Sequence, residues 1–135
     1  MPQSLAKVYS FAVFHFTVLG FDILQKYLSL TENTDFQRAY HRGKSCARPA
    51  LVVYLNKNRV GICRVGITTS KKIGNAVERN RSRRVIRAAF RAVMPEANGN
   101  WDIVFVARNK TKYLKSTQLE TIIFNHLKQA GVIHS

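Results

Sequence analysis

The stretch from Asn75 to Met94 constrains the fold of this chain more than any other. At about 100° per residue, Ser82, Ile86, Ala89 and Val93 line one side of a helix, with Phe90 at their margin. Asn80, Arg84, Arg87 and Arg91 fall on the opposite side, flanked by Arg79 and Arg83 towards Phe90 and by Arg81 on the other edge. Such a helix cannot be buried all round, nor can it stand alone. One side must cover an apolar layer, and the other must present a row of guanidinium groups.

The segment Lys71 to Arg91 carries eight cations against a single acid, Glu78. This matches the whole chain, where 22 Lys and Arg against 7 Asp and Glu give a formal charge of +15. A surface of that kind repels itself, so it calls for an anionic partner: nucleic acid first, a membrane surface second. Charge alone does not choose between DNA, RNA and lipid. Residue type narrows the choice, because no lysine occurs between Asn75 and Arg108. Arginine offers a planar fork that grips phosphate through two hydrogen bonds and stacks on bases. A merely solvated face would mix Glu with Lys for i,i+4 pairing, and this one has one acid. No helix-turn-helix, zinc spacing or heptad accompanies the helix, which argues against DNA. Ahead of it, Lys71, Lys72 and Gly74 form a basic lead-in, where backbone N–H groups at the helix start would add to an anion site.

The remaining elements supply the apolar layer. Thr31 or Asn33 can cap a short helix through TDFQRAYHR, which Gly43 would end in a left-handed conformation. Phe36 and Tyr40 share one face of that helix, either as core rings or as a partly exposed aromatic surface. Ala50–Leu55 is β-branched and aromatic and reads as a strand. A polar turn over Asn56–Arg59 leads to a second strand over about Ile62–Thr69, expected to pair with the first as a hairpin. Trp101–Ala107 is a third strand, introduced by Asn98, Gly99 and Asn100. A last helix runs from about Thr117 to Ala130, with Thr117 and Glu120 in capping-box spacing. Its apolar stripe is Leu119, Ile122, Ile123, Leu127 and Ala130, and Gly131 ends it. The order helix-strand-strand-helix-strand-helix predicts an α/β fold, an α+β sandwich with helices against a small mixed sheet.

At 46% hydrophobic residues the chain can fold as one domain over residues 26–135 without staples. Residues 1–25 read as an apolar extension outside that domain. The run Ser10–Phe21 falls short of the roughly 20 residues of a membrane helix, and no small-x-small cleavage site follows it. A membrane or partner anchor is the alternative reading of this extension.

No catalytic constellation is legible. The carboxylates Asp22, Glu32, Asp35, Glu78, Glu96, Asp102 and Glu120 show no grouping that would hold two metals for phosphodiester cleavage. His15, His41, His126 and His134 have no ligand spacing. Cys46 and Cys63 have no metal or redox spacing and read as reduced, packed thiols of a cytoplasmic protein. The expectation is an RNA-binding chain with no catalytic residue and no metal or cofactor of its own.

The run Lys71-Lys72-Ile73-Gly74-Asn75-Ala76-Val77, then Arg79-Asn80-Arg81, Arg83-Arg84 and Arg87, resembles the RNR signature of the bacterial ribonuclease P protein component. Asp35-Phe36, Tyr40, Gly43, Ser45, Val52, Tyr54, Arg64-Val65-Gly66-Ile67, Ser70, Trp101-Asp102-Ile103-Val104 and Ala107-Arg108 match that family in order and spacing. The resemblance runs from about Lys26 to the end. Residues before Lys26 match nothing in the family pattern, and Lys26–Thr34 lacks its usual basic character.

The resemblance implies a left-handed βαβ crossover through the basic helix, where general chirality would favour a right-handed one. It implies a cytoplasmic subunit of a ribonucleoprotein endoribonuclease that removes the 5′ leader of precursor tRNA, with RNA and its Mg²⁺ performing the cleavage. Lys71, Lys72, Asn75, Arg79, Asn80, Arg81, Arg83, Arg84, Arg87 and Arg91 would contact the catalytic RNA. Phe36, Tyr40, Val52 and Tyr54 would line a cleft for the single-stranded leader, where aromatic faces suit any base. No membrane partner is implied. The rival readings are an RNA-binding protein of ribosomal type without a processing role, and a membrane-surface protein using Ser10–Phe21.

Overall fold

The computed structural model describes residues 27–93 and 100–133. Expectations for residues 1–25, Met94, Asn98 and Gly99 fall outside the described residues. The elements are β1 (Tyr27–Ser29), α1 (Asn33–Arg42), β2 (Lys44–Ala47), β3 (Leu51–Lys57), β4 (Cys63–Thr68), α2 (Ala76–Val93), β5 (Trp101–Ala107) and α3 (Ser116–Gln129). Short 3₁₀ turns at Lys71–Ile73 and Thr111–Tyr113 precede α2 and α3 respectively.

The five strands form one mixed sheet in the order β1-β4-β5-β3-β2. The expected hairpin between β3 and β4 does not form. β5 lies between them, antiparallel to β3 and parallel to β4. The reason is visible in β5 itself, where Ile103, Val104 and Phe105 are all fully buried. A strand apolar on both faces belongs in the middle of a sheet, whereas β3 alternates between buried and half-buried residues. β1 and β2, absent from the sequence-based expectation, are edge strands of three and four residues. They are too short and too polar to show a period.

The inner face of the sheet presents Leu51, Val53, Leu55, Val65, Ile103 and Phe105 to Ile86, Ala89, Phe90 and Val93 of α2 and to Leu119, Ile123 and Leu127 of α3. These are the apolar stripes expected for both helices. The outer face is partly covered by α1, where Ala39 is buried with Leu30 and Val104 in a second, smaller cluster. Gly66 lies beneath this helix: a Cβ there would run into the Phe36 ring, so a side chain on β4 would lift α1 from the sheet.

Helix ends differ from expectation in three places. Glu32, not Thr31 or Asn33, occupies the cap of α1, and its side chain makes no capping bond. Gly43 ends α1 in an extended conformation at φ −77°. Glycine is needed there because the carbonyls of Ala39 and Leu55 stand where a Cβ would go. In α3 the helix starts one residue earlier than expected, and Gln118 Oε1 accepts the Lys115 N–H at 2.9 Å, so Thr117 and Glu120 do not form the cap.

Both cysteines are free, and burial, helped by the charge of Asp102, pushes the Cys63 thiol up to about 12. His126 of α3 is 2% exposed, and neither ring nitrogen has a hydrogen-bond partner among the described residues. Burial, and then the charge of Arg48, lowers its pKa from the ordinary value. The unfolded chain therefore protonates this ring near about pH 6.5, while the folded chain resists until lower pH. The stability this provides is complete above the unfolded value and is lost as pH falls towards the folded one. We expect denaturant melts of His126→Leu to change less between about pH 7 and pH 5 than those of the unaltered chain. An identical pH dependence would assign the titration to another group.

Candidate nucleic-acid interface

The lead-in to α2 is built from Ile73, which is anchored in the core, and Gly74, whose φ of +140° turns the chain into the helix. Asn75 and Glu78 then cap α2 reciprocally. Asn75 Oδ1 accepts the Glu78 N–H at 2.9 Å, and Glu78 Oε1 accepts the Asn75 N–H at 3.3 Å. This narrows what the helix start offers an anion. Those two N–H groups are already satisfied by the chain, and a carboxylate stands beside them.

Along α2, Asn80, Arg81, Arg83, Arg84, Arg87 and Arg91 are exposed, as are Lys71 and Lys72. Arg79 is half-buried, with its guanidinium donating to the Gly74 carbonyl at 2.7 Å, so it braces the lead-in. Arg81 donates to the Lys112 carbonyl at 3.0 Å, and Arg91 approaches the Tyr27 hydroxyl at 3.4 Å. Among the described residues, no arginine of α2 forms an ion pair with a carboxylate. The acids close by are committed elsewhere. Glu78 pairs with Lys112 at 2.6 Å, an interaction that lowers the pKa of Glu78 and raises that of Lys112.

Two concavities extend this surface. A groove of about 600 Å³ runs between α2 and the start of α3, lined by Arg81, Arg84, Val85, Arg87, Ala88, Arg91, Lys115 and Ser116. A smaller hollow of about 300 Å³ at the β1–β4 edge brings Arg83 and Arg87 together with Tyr27, Phe36 and Phe90. The roles of Lys115 and Lys112 were missed from sequence. The signal was present in the run Lys110-Thr111-Lys112-Tyr113-Leu114-Lys115, which places three lysines within six residues.

Phe36, Tyr40, Val52 and Tyr54 all lie on the outer face of the sheet, and all four are half-buried. Tyr40 and Tyr54 meet edge to face at 5.0 Å between ring centroids. Tyr54 pairs across the sheet with Ser45 and Val104, and one rung further Val52 lies between Ala47 and Val106. The rings thus contribute to the smaller cluster while keeping an edge to solvent. The hollow at the β1–β4 edge joins this aromatic face to the arginine row through Phe36, Arg83 and Arg87.

The far end of the outer face is polar and tightly paired. Arg64 donates to both carboxylate oxygens of Asp102, at 2.8 and 2.7 Å, and reaches Asp35 of α1 at 3.3 Å. Asn58 also donates to Asp102, at 2.8 Å. These bonds raise the Arg64 pKa against the opposing effect of burial. Asp102 therefore serves Arg64 and Asn58, Asp35 is shared between Arg64 and Arg38, which donates to it at 3.1 Å, and among the described residues no group of three His, Cys, Asp or Glu is placed to hold a metal ion. No described helix is long and apolar enough to cross a membrane.

Residues 24–131 match a family model described as Ribonuclease P. The ribonuclease P protein component of Clostridium novyi (strain NT) is 40% identical over 111 residues, covering 81% of this chain and 98% of that protein. That of Pelotomaculum thermopropionicum is 41% identical over 106 residues, covering 78% and 95%. Among solved structures, the RNase P protein of Staphylococcus aureus superposes with a TM-score of 0.69 at 36% identity, covering 78% of this chain and 97% of that one. The RNase P protein of Thermotoga maritima gives 0.67 at 28% identity, covering 75% and 96%.

Proposed function

The chain belongs to the ribonuclease P protein family, and from that premise we infer that it is the protein subunit of a ribonuclease P ribonucleoprotein acting in tRNA 5′ maturation. In this role α2 and its lead-in bind the catalytic RNA. The outer face around Phe36, Tyr40, Val52 and Tyr54 receives the single-stranded 5′ leader of precursor tRNA. The observation that carries the reading is the row of exposed α2 arginines without a carboxylate partner among the described residues. Holding such a row together costs electrostatic free energy that a polyanion offsets.

The chain's contribution is binding and orientation. Exposed guanidinium groups neutralise phosphates of a folded RNA. The half-buried rings offer faces on which leader bases of any sequence can stack. The Mg²⁺ that the family implies has no fitting donor set among the described residues, so no chemical step is assigned to a metal held by this chain. Cytoplasmic location follows from the same proposal, since precursor tRNA is processed where it is made.

Reconstitution tests the reading. This protein added to ribonuclease P RNA is expected to restore precursor-tRNA cleavage at low Mg²⁺, where the RNA alone is slow. No stimulation would return the chain to a general RNA-binding role. In the same assay, Tyr54→Ala is expected to weaken binding of leader-bearing precursor by about fivefold or more, with mature tRNA little affected. Equal losses for both would remove Tyr54 from the leader path.

A further inference from the structure

Tyr113 is 75% exposed, and it is the one aromatic among the large apolar residues that stand out into solvent in the described part of the chain. Its backbone is not loose. It closes the Thr111–Tyr113 turn with its N–H donating to the Lys110 carbonyl at 3.1 Å. Beneath that turn, the fully buried Thr111 hydroxyl donates to the Ala50 carbonyl and accepts the Arg108 N–H at 2.9 Å. Lys112 fixes the ring's surroundings: its ammonium donates to the Ile73 carbonyl at 2.6 Å, pairs with Glu78 at 2.6 Å and stands 5.3 Å from the Tyr113 ring centroid.

The turn is tied directly to α2. Arg81 donates to the Lys112 carbonyl at 3.0 Å. Val77, four residues before Arg81 and so on the same stripe, is also 75% exposed. The exposed ring thus stands on a turn joined to the arginine helix, on whose Arg81 stripe an exposed aliphatic side chain also lies, and Glu78, the acid at hand, is already paired with Lys112.

We propose that Tyr113, on a turn tied to the arginine helix, is a stacking platform for an unpaired base of the RNA bound by α2, a site that rests on the RNA-binding role proposed above. The chemistry favours a nucleotide over an apolar protein partner. A protein docking on this corner would have to desolvate the cations around it, whereas a nucleotide supplies both a π-face for the ring and a phosphate for Arg81. The Lys112 ammonium lies over the ring at 5.3 Å from its centroid, and the side chain nonetheless remains 75% exposed to an incoming base. Because every base has a π-face, the platform selects for an unpaired nucleotide and not for a particular sequence.

The test is a binding series of the full chain with ribonuclease P RNA across salt concentrations. Tyr113→Ala is expected to bind about tenfold more weakly with an unchanged salt slope, because stacking is lost and no charge is removed. Tyr113→Phe and Tyr113→Trp are expected to bind as tightly as the unaltered chain. The side chain is exposed, so the variants should melt at the same temperature. If Tyr113→Ala binds normally while Arg84→Ala with Arg87→Ala is weakened, the platform is overturned and the RNA role of α2 stands. An equal loss in Tyr113→Phe and Tyr113→Ala would also overturn it, since the ring face would not be the contact. If neither the tyrosine nor the arginine variants change binding, the RNA role itself fails.

Discussion

The double variant Arg84→Ala, Arg87→Ala is expected to bind ribonuclease P RNA about 100-fold more weakly than the unaltered chain, or worse. Each guanidinium is exposed on α2 with no carboxylate partner among the described residues, so its loss leaves the fold intact. A hydrogen bond to a charged group contributes about 1.5–3 kcal/mol, and two such contacts correspond to a hundredfold change at the low end. Salt dependence gives the sharper readout. A surface engaging about 6–10 phosphates loses about 10³ to 10⁵ in affinity between about 50 and 200 mM salt. Removing two contacts should make the log–log slope shallower by about 2. An unchanged affinity and slope would exclude the helix from the RNA contact.

Replacing Arg64 by methionine is expected to be the most destabilising single change on the outer face. Asp102 is 1% exposed and receives two of its hydrogen bonds from Arg64. Removing the arginine leaves a buried carboxylate with Asn58 as its remaining side-chain donor. Breaking a buried pair from one side costs about 3–5 kcal/mol, which for a domain of this size lowers the melting temperature by more than about 10 °C. The double replacement Arg64→Met, Asp102→Leu should recover much of that loss, because the orphaned charge goes with its partner. A double variant as unstable as Arg64→Met alone would show that the loss lies in packing, not in the buried charge. Arg64 also reaches Asp35, so α1 should loosen in the single variant and leader binding should weaken with it.

The two faces of α2 were legible because a helix of 18 residues repeats its pattern five times over, and each of Ser82, Ile86, Ala89 and Val93 is buried as its position requires. The strand segments were legible as segments but not as a sheet. Proximity along the chain suggested a β3–β4 hairpin, yet Ile103, Val104 and Phe105 already marked β5 as apolar on both faces and hence central. Arg64 and Asp102, separated by 38 positions, become neighbours only through the β4–β5 register, which no local pattern encodes. Of the candidate site, the arginine row followed from periodicity. The capping of α2 by Asn75 and Glu78 followed a spacing that sequence could have offered but that the basic residues around it obscured. The pairing of Lys112 with Glu78 depends on the fold of the β5–α3 connection and was not readable at all.

The central position of β5 sets an order on assembly during synthesis. Until residues 101–107 leave the ribosome, β3 and β4 have no strand between them, and the nascent chain holds two separate apolar ribbons with the arginine helix already made. Contacts that join distant parts of the chain form slowly, and exposed strand edges invite misassociation in the interval. A polyanion that captured the helix early would therefore meet it before the layer beneath it had closed.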